Sequence, residues 1–284
     1  MNRRSFIKRL AAGIGSVMLC IGLDAFFVEP YRLRKRELTV PVARLPNGFA
    51  GFRIAHFSDV HIGHGLTAED LAPLIDDINS AAPDLIAFTG DLFDDGMEDM
   101  RETVQQLKRL DAPYGKYAVL GNHDVRGEGK GEQIIRAYRE AGFIPLINER
   151  VKLQHHAAQD IIIVAGLDDY WRTPDWDAAC GGIPAGACMI VLAHEPDVAD
   201  QTEQYGAALQ LSGHSHGGQV RLPFIGGILY PPCGRKYPDG LQRTESGNML
   251  VHTSRGIGTT ILPVRFFCAP EWYVLTLETT TSSG

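Results

Sequence analysis

The chain is predicted to be a layered α/β domain whose chemistry sits on loops at one edge of its sheets. Three observations carry this. Short apolar runs alternate with amphipathic, helix-period segments in the first half, and apolar runs dominate the second. Each of five polar blocks begins where an apolar run stops. At 284 residues, 44% apolar and 21% charged, the chain can bury one large core.

Residues 1–30 stand apart. Arg3, Arg4, Lys8 and Arg9 make a positive head, and Leu10 to Val28 is apolar except for Asp24. That length suits a single membrane helix. The head, Arg3-Arg4-Ser5-Phe6-Ile7-Lys8, resembles the twin-arginine export motif, which implies delivery of an already folded protein to the export machinery. Leu23-Asp24-Ala25 offers a small residue only at its last position and bulky Phe26 follows, so no small-x-small cleavage site is clear. Removable signal and retained anchor both stay open. Arg32, Arg34, Lys35 and Arg36 balance the first four basic residues, so charge does not settle orientation. This second cluster is either a contact for anionic lipid or a solvated linker. Residues 31–50 are taken as this basic linker and the first strand.

Leu38–Val42 and Phe52–Phe57 read as strands around the Pro46-Asn47-Gly48 turn. Thr67–Ala81 is predicted helical, capped by Thr67, with Leu71, Leu74, Ile75 and Ile78 on one face and Pro73 arguing for a kink or a later start. A strand at Asp84–Thr89, a helix at Glu98–Leu110, a strand at Lys116–Leu120 and a helix near Glu132–Ala141 follow. Strands are expected near Val151–Leu153, Ile161–Gly166, Met189–Ala193, Ala207–Leu211, Met249–His252 and Trp272–Leu277, with a Pro/Gly-rich excursion at Leu222–Gly240. Residues 279–284 read as a disordered tail.

A net charge of −7 argues against broad nucleic-acid binding. Cys20, Cys180, Cys188, Cys233 and Cys268 show no C-x-x-C spacing, so a zinc ribbon or thioredoxin motif is not indicated. Cys180 and Cys188 bracket a Gly/Pro-rich loop, and a disulfide and two reduced thiols both fit.

The five blocks are Asp59-x-His61, Gly90-Asp91, Gly121-Asn122-His123-Asp124, His194, and Gly213-His214-Ser215-His216. Carboxylate beside imidazole suits Mn, Fe or Zn better than a thiolate site would. As an ordered set, the blocks resemble the calcineurin-like metallophosphoesterase superfamily, over about Phe52–Gly217. That resemblance implies a double β-sheet sandwich flanked by helices across residues 51–278. It also implies two divalent metal ions: Asp59, His61 and His216 on one, Asn122, His194 and His214 on the other, and Asp91 bridging. A bridging hydroxide would attack phosphorus in a phosphodiester or pyrophosphate. His123 would protonate the leaving group, with Asp124 accepting a hydrogen bond from it and raising its pKa. Gln219, Arg235 and Arg255 are the candidate substrate contacts. The N-terminal segment adds a likeness to membrane-associated phosphodiesterases similar to the UDP-2,3-diacylglucosamine hydrolases, with a lipid-linked or nucleotide substrate. A sugar-nucleotide lipid implies the cytoplasmic face; the twin-arginine motif implies the periplasmic or cell-envelope side. The rivals are a phosphomonoesterase of the same fold and a non-catalytic metal-binding envelope protein.

Overall fold

A computed structural model describes residues 3–94, 96–97 and 99–280. Two six-stranded sheets pack face to face. The first runs β1 (Arg34–Val42), β14 (Glu271–Thr279), β2 (Arg53–Phe57), β3 (Leu85–Phe88), β4 (Lys116–Ala118) and β5 (Ile144–Pro145). The second runs β12 (Gly240–Arg243), β13 (Leu250–Thr253), β9 (Leu209–Ser212), β8 (Met189–Leu192), β7 (Ile161–Gly166) and β6 (Glu149–Gln154). A ribbon of β10 (Arg221–Leu222) and β11 (Gly226–Gly227) lies apart. Between the sheets, Ile54, Ala87, Val119, Ile190, Leu211 and Leu275 make one apolar layer. Helices α2 (Leu71–Ser80), α3 (Met100–Lys108) and α4 (Lys130–Glu140) cover the outer face of the first sheet. Short α5 (Trp176–Cys180) and α6 (Ala199–Gln204) serve the second. The expected α/β class, a layered double β-sheet sandwich flanked by helices, is therefore observed.

β2, β3 and β4 are parallel to one another, as are β7, β8, β9 and β13. Parallel strands put their carboxyl ends at one edge, which is where open α/β sheets place ligand sites. All five polar blocks follow such ends.

Several boundaries differ from expectation for identifiable reasons. α2 starts at Leu71, not Thr67, and Thr67 instead donates its N–H and hydroxyl to Asp70 Oδ2 at 2.8 and 2.9 Å. Pro73 then falls in the first turn, where its missing N–H costs nothing. The basic run thought to be linker is strand: Arg34, Lys35 and Arg36 open β1, paired in parallel with Glu271, Trp272 and Tyr273. Charged side chains on an edge strand hide its signal and also discourage edge-to-edge pairing. Glu98, the expected start of α3, lies outside the described residues, as do the tail residues beyond Thr280. Thr279 still belongs to β14.

α1 (Arg3–Phe27) is long and apolar enough to cross a membrane by length and composition, and little of it is buried. Its last turn meets the domain: buried Ala25 accepts a hydrogen bond through its carbonyl from Arg265 N at 3.0 Å.

Candidate metal centre

The site is assembled by short loops whose backbones are held in costly conformations. Asp59, His61, Asp91, His214 and His216 all have left-handed φ, between 49° and 65°. Non-glycine residues there are uncommon, and clusters of them mark functional sites. Cross-loop hydrogen bonds impose the geometry: Asp59 N donates to Gly90 O, Val60 N to Asp91 O, and Gly213 N to His194 O, at 2.8–3.0 Å. Glycine is obligatory where loops touch. A Cβ on Gly121 would lie 2.3 Å from Asp91 Oδ1, and one on Gly213 would lie 2.2 Å from Asp59 Oδ2.

The seven expected ligand residues lie together. Asp91 Oδ2 is 3.4 Å from His61 Nε2 and 3.2 Å from His194 Nε2. Asp59 Oδ1 is 3.3 Å from His216 Nε2, which is 3.1 Å from His61 Nε2. On the other side, His194 Nε2 is 3.2 Å from Asn122 Oδ1 and 3.3 Å from His214 Nδ1. Asp59, His61 and His216 form one candidate metal group, and Asp59, Asp91 and His194 another.

The far nitrogens of three rings are engaged elsewhere. His61 Nδ1 is 3.0 Å from Asp94 Oδ1, His194 Nδ1 is 2.7 Å from Thr89 O, and His214 Nε2 is 2.9 Å from Pro232 O. Each partner fixes a tautomer and leaves the other nitrogen's lone pair facing the cluster, the arrangement that metal-binding histidines use. Burial, then His194, pushes the His214 pKa down to about 3, and burial, then His61, holds His216 well below the usual range. Both are neutral imidazoles, the form that binds a cation. Burial opposes charge on Asp91, but His194 and His61 outweigh it and hold the carboxyl well below its ordinary value. The donor set fits two divalent cations: one carboxylate between two groups of imidazole and amide ligands, with a second carboxylate at one end, and the carboxylates that raise the His61 and His194 pKa values against burial also favour a cation in place of each proton.

The expected Asp124–His123 pair is not formed. Asp124 is fully buried and turned toward backbone: Oδ2 accepts from Asp91 N and Gly121 N, and Oδ1 from Leu92 N, at 2.9–3.1 Å, with Tyr138 Oη at 3.1 Å. It holds the two metal-site loops together and cannot reach around to an imidazole. His123 Nδ1 is instead 2.8 Å from Asp94 Oδ1, and burial pushes the His123 pKa down to about 4 rather than up. Asp94 thus serves His61 and His123 with one oxygen. Its place three residues after Asp91, in Gly90-Asp91-Leu92-Phe93-Asp94, was the available signal. Arg126 Nη1, 3.0 Å from His123 Nε2, and the exposed Trp171, its ring 5.5 Å from that of His214, were also missed.

The three expected substrate contacts are occupied elsewhere or remote. Arg255 is spent on Asp239, at 2.7 and 2.9 Å. The Gln219 amide exchanges two hydrogen bonds with the Thr260 backbone. Arg235 is exposed and bonds Tyr230 O. Cys180 and Cys188 are both buried free thiols.

Residues 52–218 match the family described as calcineurin-like phosphoesterase. An uncharacterized metallophosphoesterase, YkuE of Bacillus subtilis strain 168, is 37% identical over 286 residues, spanning 99% of both chains. Phosphodiesterase YaeI of Escherichia coli K12 is 29% identical over 98% of this chain and 99% of its own. A transmembrane protein with metallophosphoesterase domain from Danio rerio is 29% identical over 83% of this chain and 55% of its own. The matched span contains every loop that feeds the cluster, and on geometry and kinship together the chain belongs to the calcineurin-like phosphoesterase family and is a metal-dependent phosphoric ester hydrolase.

Proposed function

We propose that the chain is a dinuclear phosphodiesterase cleaving a phosphodiester or pyrophosphate bond. One observation carries this: Asp91 Oδ2 lies within 3.4 Å of inward-facing imidazole nitrogens from two different loops, each ring locked from behind. Asp59, His61 and His216 would hold one cation, Asn122, His194 and His214 the other, with Asp91 between. When bound, such a pair polarises a phosphoryl oxygen and makes a nucleophile of water at neutral pH.

The chain's own residues do the rest. Asp94 holds His123 by Nδ1, so Nε2, which accepts from Arg126 Nη1 in the free site, becomes the nitrogen presented to a leaving oxygen once Arg126 turns to the phosphate. His123 is neutral in the free site, and a phosphate anion beside it raises its proton affinity, which loads the acid only when substrate is present. Arg126, exposed beside His123, supplies a planar donor for the phosphate. Asp124 is a positioning residue for the loop backbones.

We place the protein at a membrane, with α1 as anchor or export signal and a lipid-linked or nucleotide substrate. The apolar length of α1 and the transmembrane relative support this, and the twin-arginine-like head favours the cell-envelope side over the cytoplasmic face. The test is hydrolysis of bis-p-nitrophenyl phosphate against p-nitrophenyl phosphate, after chelation and with Mn²⁺, Fe²⁺ or Zn²⁺ restored. Diester cleavage that needs added metal is expected. Activity surviving complete metal removal overturns the mechanism, and preference for the monoester makes the chain a phosphomonoesterase. Asp91→Asn should lose metal and turnover together, and His123→Ala turnover alone.

A further inference from the structure

The catalytic domain exposes apolar side chains where it has no internal reason to. Phe224 and Ile225 sit at the tip of the β10–β11 ribbon, and Ile261, Leu262 and Phe267 on the loop before β14. Phe224 and Ile261 are 108% and 85% exposed. Phe224, Ile261 and Phe267 also have left-handed φ, at 67°, 64° and 49°. Exposure and backbone strain in one bulky apolar residue are both unfavourable in water, and β-branched Ile is a genuine outlier there. Singly exposed apolar residues are ordinary, whereas contiguous ones mark an interface.

The ribbon and the loop that carry these side chains are joined along their backbones. Val220 bridges to Phe266, Arg221 N donates to Phe266 O, and Phe266 N to Gln219 O, both at 2.9 Å. The Gln219 amide completes the seam through its paired bonds to Thr260. Beneath the loop, the fully buried Arg265 guanidinium donates to the carbonyls of Arg255, Gly256, Gly258 and Cys268. The apolar side chains are therefore held outward by a rigid base.

The surface is tied to the end of α1. Arg265 N donates to Ala25 O at 3.0 Å, and Cys268 N to Glu29 Oε1 at 2.6 Å. If the stretch ending at Val28 fills the hydrocarbon core, Ala25 lies within about one helical turn of the water boundary. Arg265, hydrogen-bonded to that residue, shares its depth, and the exposed side chains on either side of Arg265 start from the same level. Phe27 and Tyr31 are exposed beside it, and the Asp24–Arg32 pair, at 3.8 Å, marks the same level with charge.

We propose that the ribbon tip and the 260–267 loop form a monotopic membrane contact, inserted into the same leaflet that α1 enters. His216 lies three residues before Gln219, so the metal centre is held close to the lipid surface and a lipid-borne phosphoester is favoured over a soluble nucleotide. This rests on α1 lying in a bilayer, which the experiment tests separately.

The full chain is reconstituted in phosphatidylcholine vesicles with or without brominated acyl chains, and the tryptophan emission of single variants is compared with the unsubstituted protein. Leu19→Trp reports α1, Phe224→Trp and Ile261→Trp report the surface, and Ile144→Trp, on β5 at the opposite edge of the first sheet from β1, is the control. The expected result is blue-shifted, bromine-quenched emission added at positions 19, 224 and 261, and none quenched at 144. Quenching at 19 with solvent-like emission at 224 and 261 overturns the contact and leaves the anchor standing. Blue-shifted but unquenched emission at 224 and 261 means that protein, a second copy of this chain, covers the surface, and also overturns it. No quenching at 19 removes the anchor and the proposal with it. Retained hydrolysis of bis-p-nitrophenyl phosphate shows that each variant is folded.

Discussion

Removing the Asp94 carboxylate should damage the site from outside the ligand set. Its Oδ1 is 3.0 Å from His61 Nδ1 and 2.8 Å from His123 Nδ1, and Oδ2 is 3.6 Å from His64 Nδ1. Asp94→Ala frees two rings that point in different chemical directions, one toward a cation and one toward the leaving group. A hydrogen bond to a charged group is worth about 1.5–3 kcal/mol, and loss of an outer partner of a metal ligand costs about 10–100-fold in affinity or activity. Because both rings lose their partner at once, kcat/KM should fall by about 100-fold, near 2.7 kcal/mol at about 1.4 kcal/mol per decade. Metal affinity should fall by about 10-fold, through His61 alone. Asp94→Asn keeps an acceptor oxygen but no charge and should lie between. The assay is bis-p-nitrophenyl phosphate hydrolysis across a metal titration, with metal content measured after gel filtration. If Asp94→Ala stays within twofold of the unsubstituted enzyme in both quantities, Asp94 does not hold these rings and the assignment of His123 loses its support.

Three further outcomes follow from the geometry. Lys116 Nζ donates to the carbonyls of Leu107, Leu110 and Ala141, at 2.7–3.2 Å, where α3 and α4 end; Lys116→Met should cost about 2–4 kcal/mol in urea unfolding, after allowance for the ammonium's own desolvation, and a loss below about 0.5 kcal/mol would contradict it. Gly213→Ala places a Cβ 2.0 Å from Ser58 Oγ and should displace Asp59, with at least about 10-fold less metal affinity and about 1–3 kcal/mol less stability; unchanged metal content would refute the contact. Burial pushes the Cys180 and Cys188 thiols up to about 11 and about 12, so a thiol reagent at neutral pH should modify Cys233 but neither of these in the native protein, and all five only after unfolding without reductant; three after unfolding would reveal a disulfide.

What could be read in advance followed from local chemistry. The ligand blocks are tight turns after buried strands, and apolar runs such as Leu85–Phe88 and Met189–Leu192 announce those strands without tertiary help. The partners of the ligands were not legible, because they depend on which way a side chain turns. Asp124 is next to His123 in the chain, yet it faces Asp91, Leu92 and Gly121, and Asp94, twenty-nine residues upstream, takes the imidazole. Arg255 reads as a phosphate donor in the sequence, but in the fold Asp239 lies against it. β1 was half hidden because Arg34, Lys35 and Arg36 carry no alternation for a sequence pattern to detect. Its partner is 237 residues further on, at Glu271, beyond the reach of any local rule.

That pairing also sets an order of events. β14 is inserted between β1 and β2, parallel to one and antiparallel to the other. The first sheet therefore stays split until Glu271–Thr279 has left the ribosome, although β2 already carries Asp59 and His61 at its end. Such long-range closure is slow, and the half-built sheet keeps two unpaired strand edges while it waits. A cell that commits α1 to a membrane before synthesis ends would have to guard those edges; one that waits for the finished chain hands over a closed sheet with its metal loops assembled.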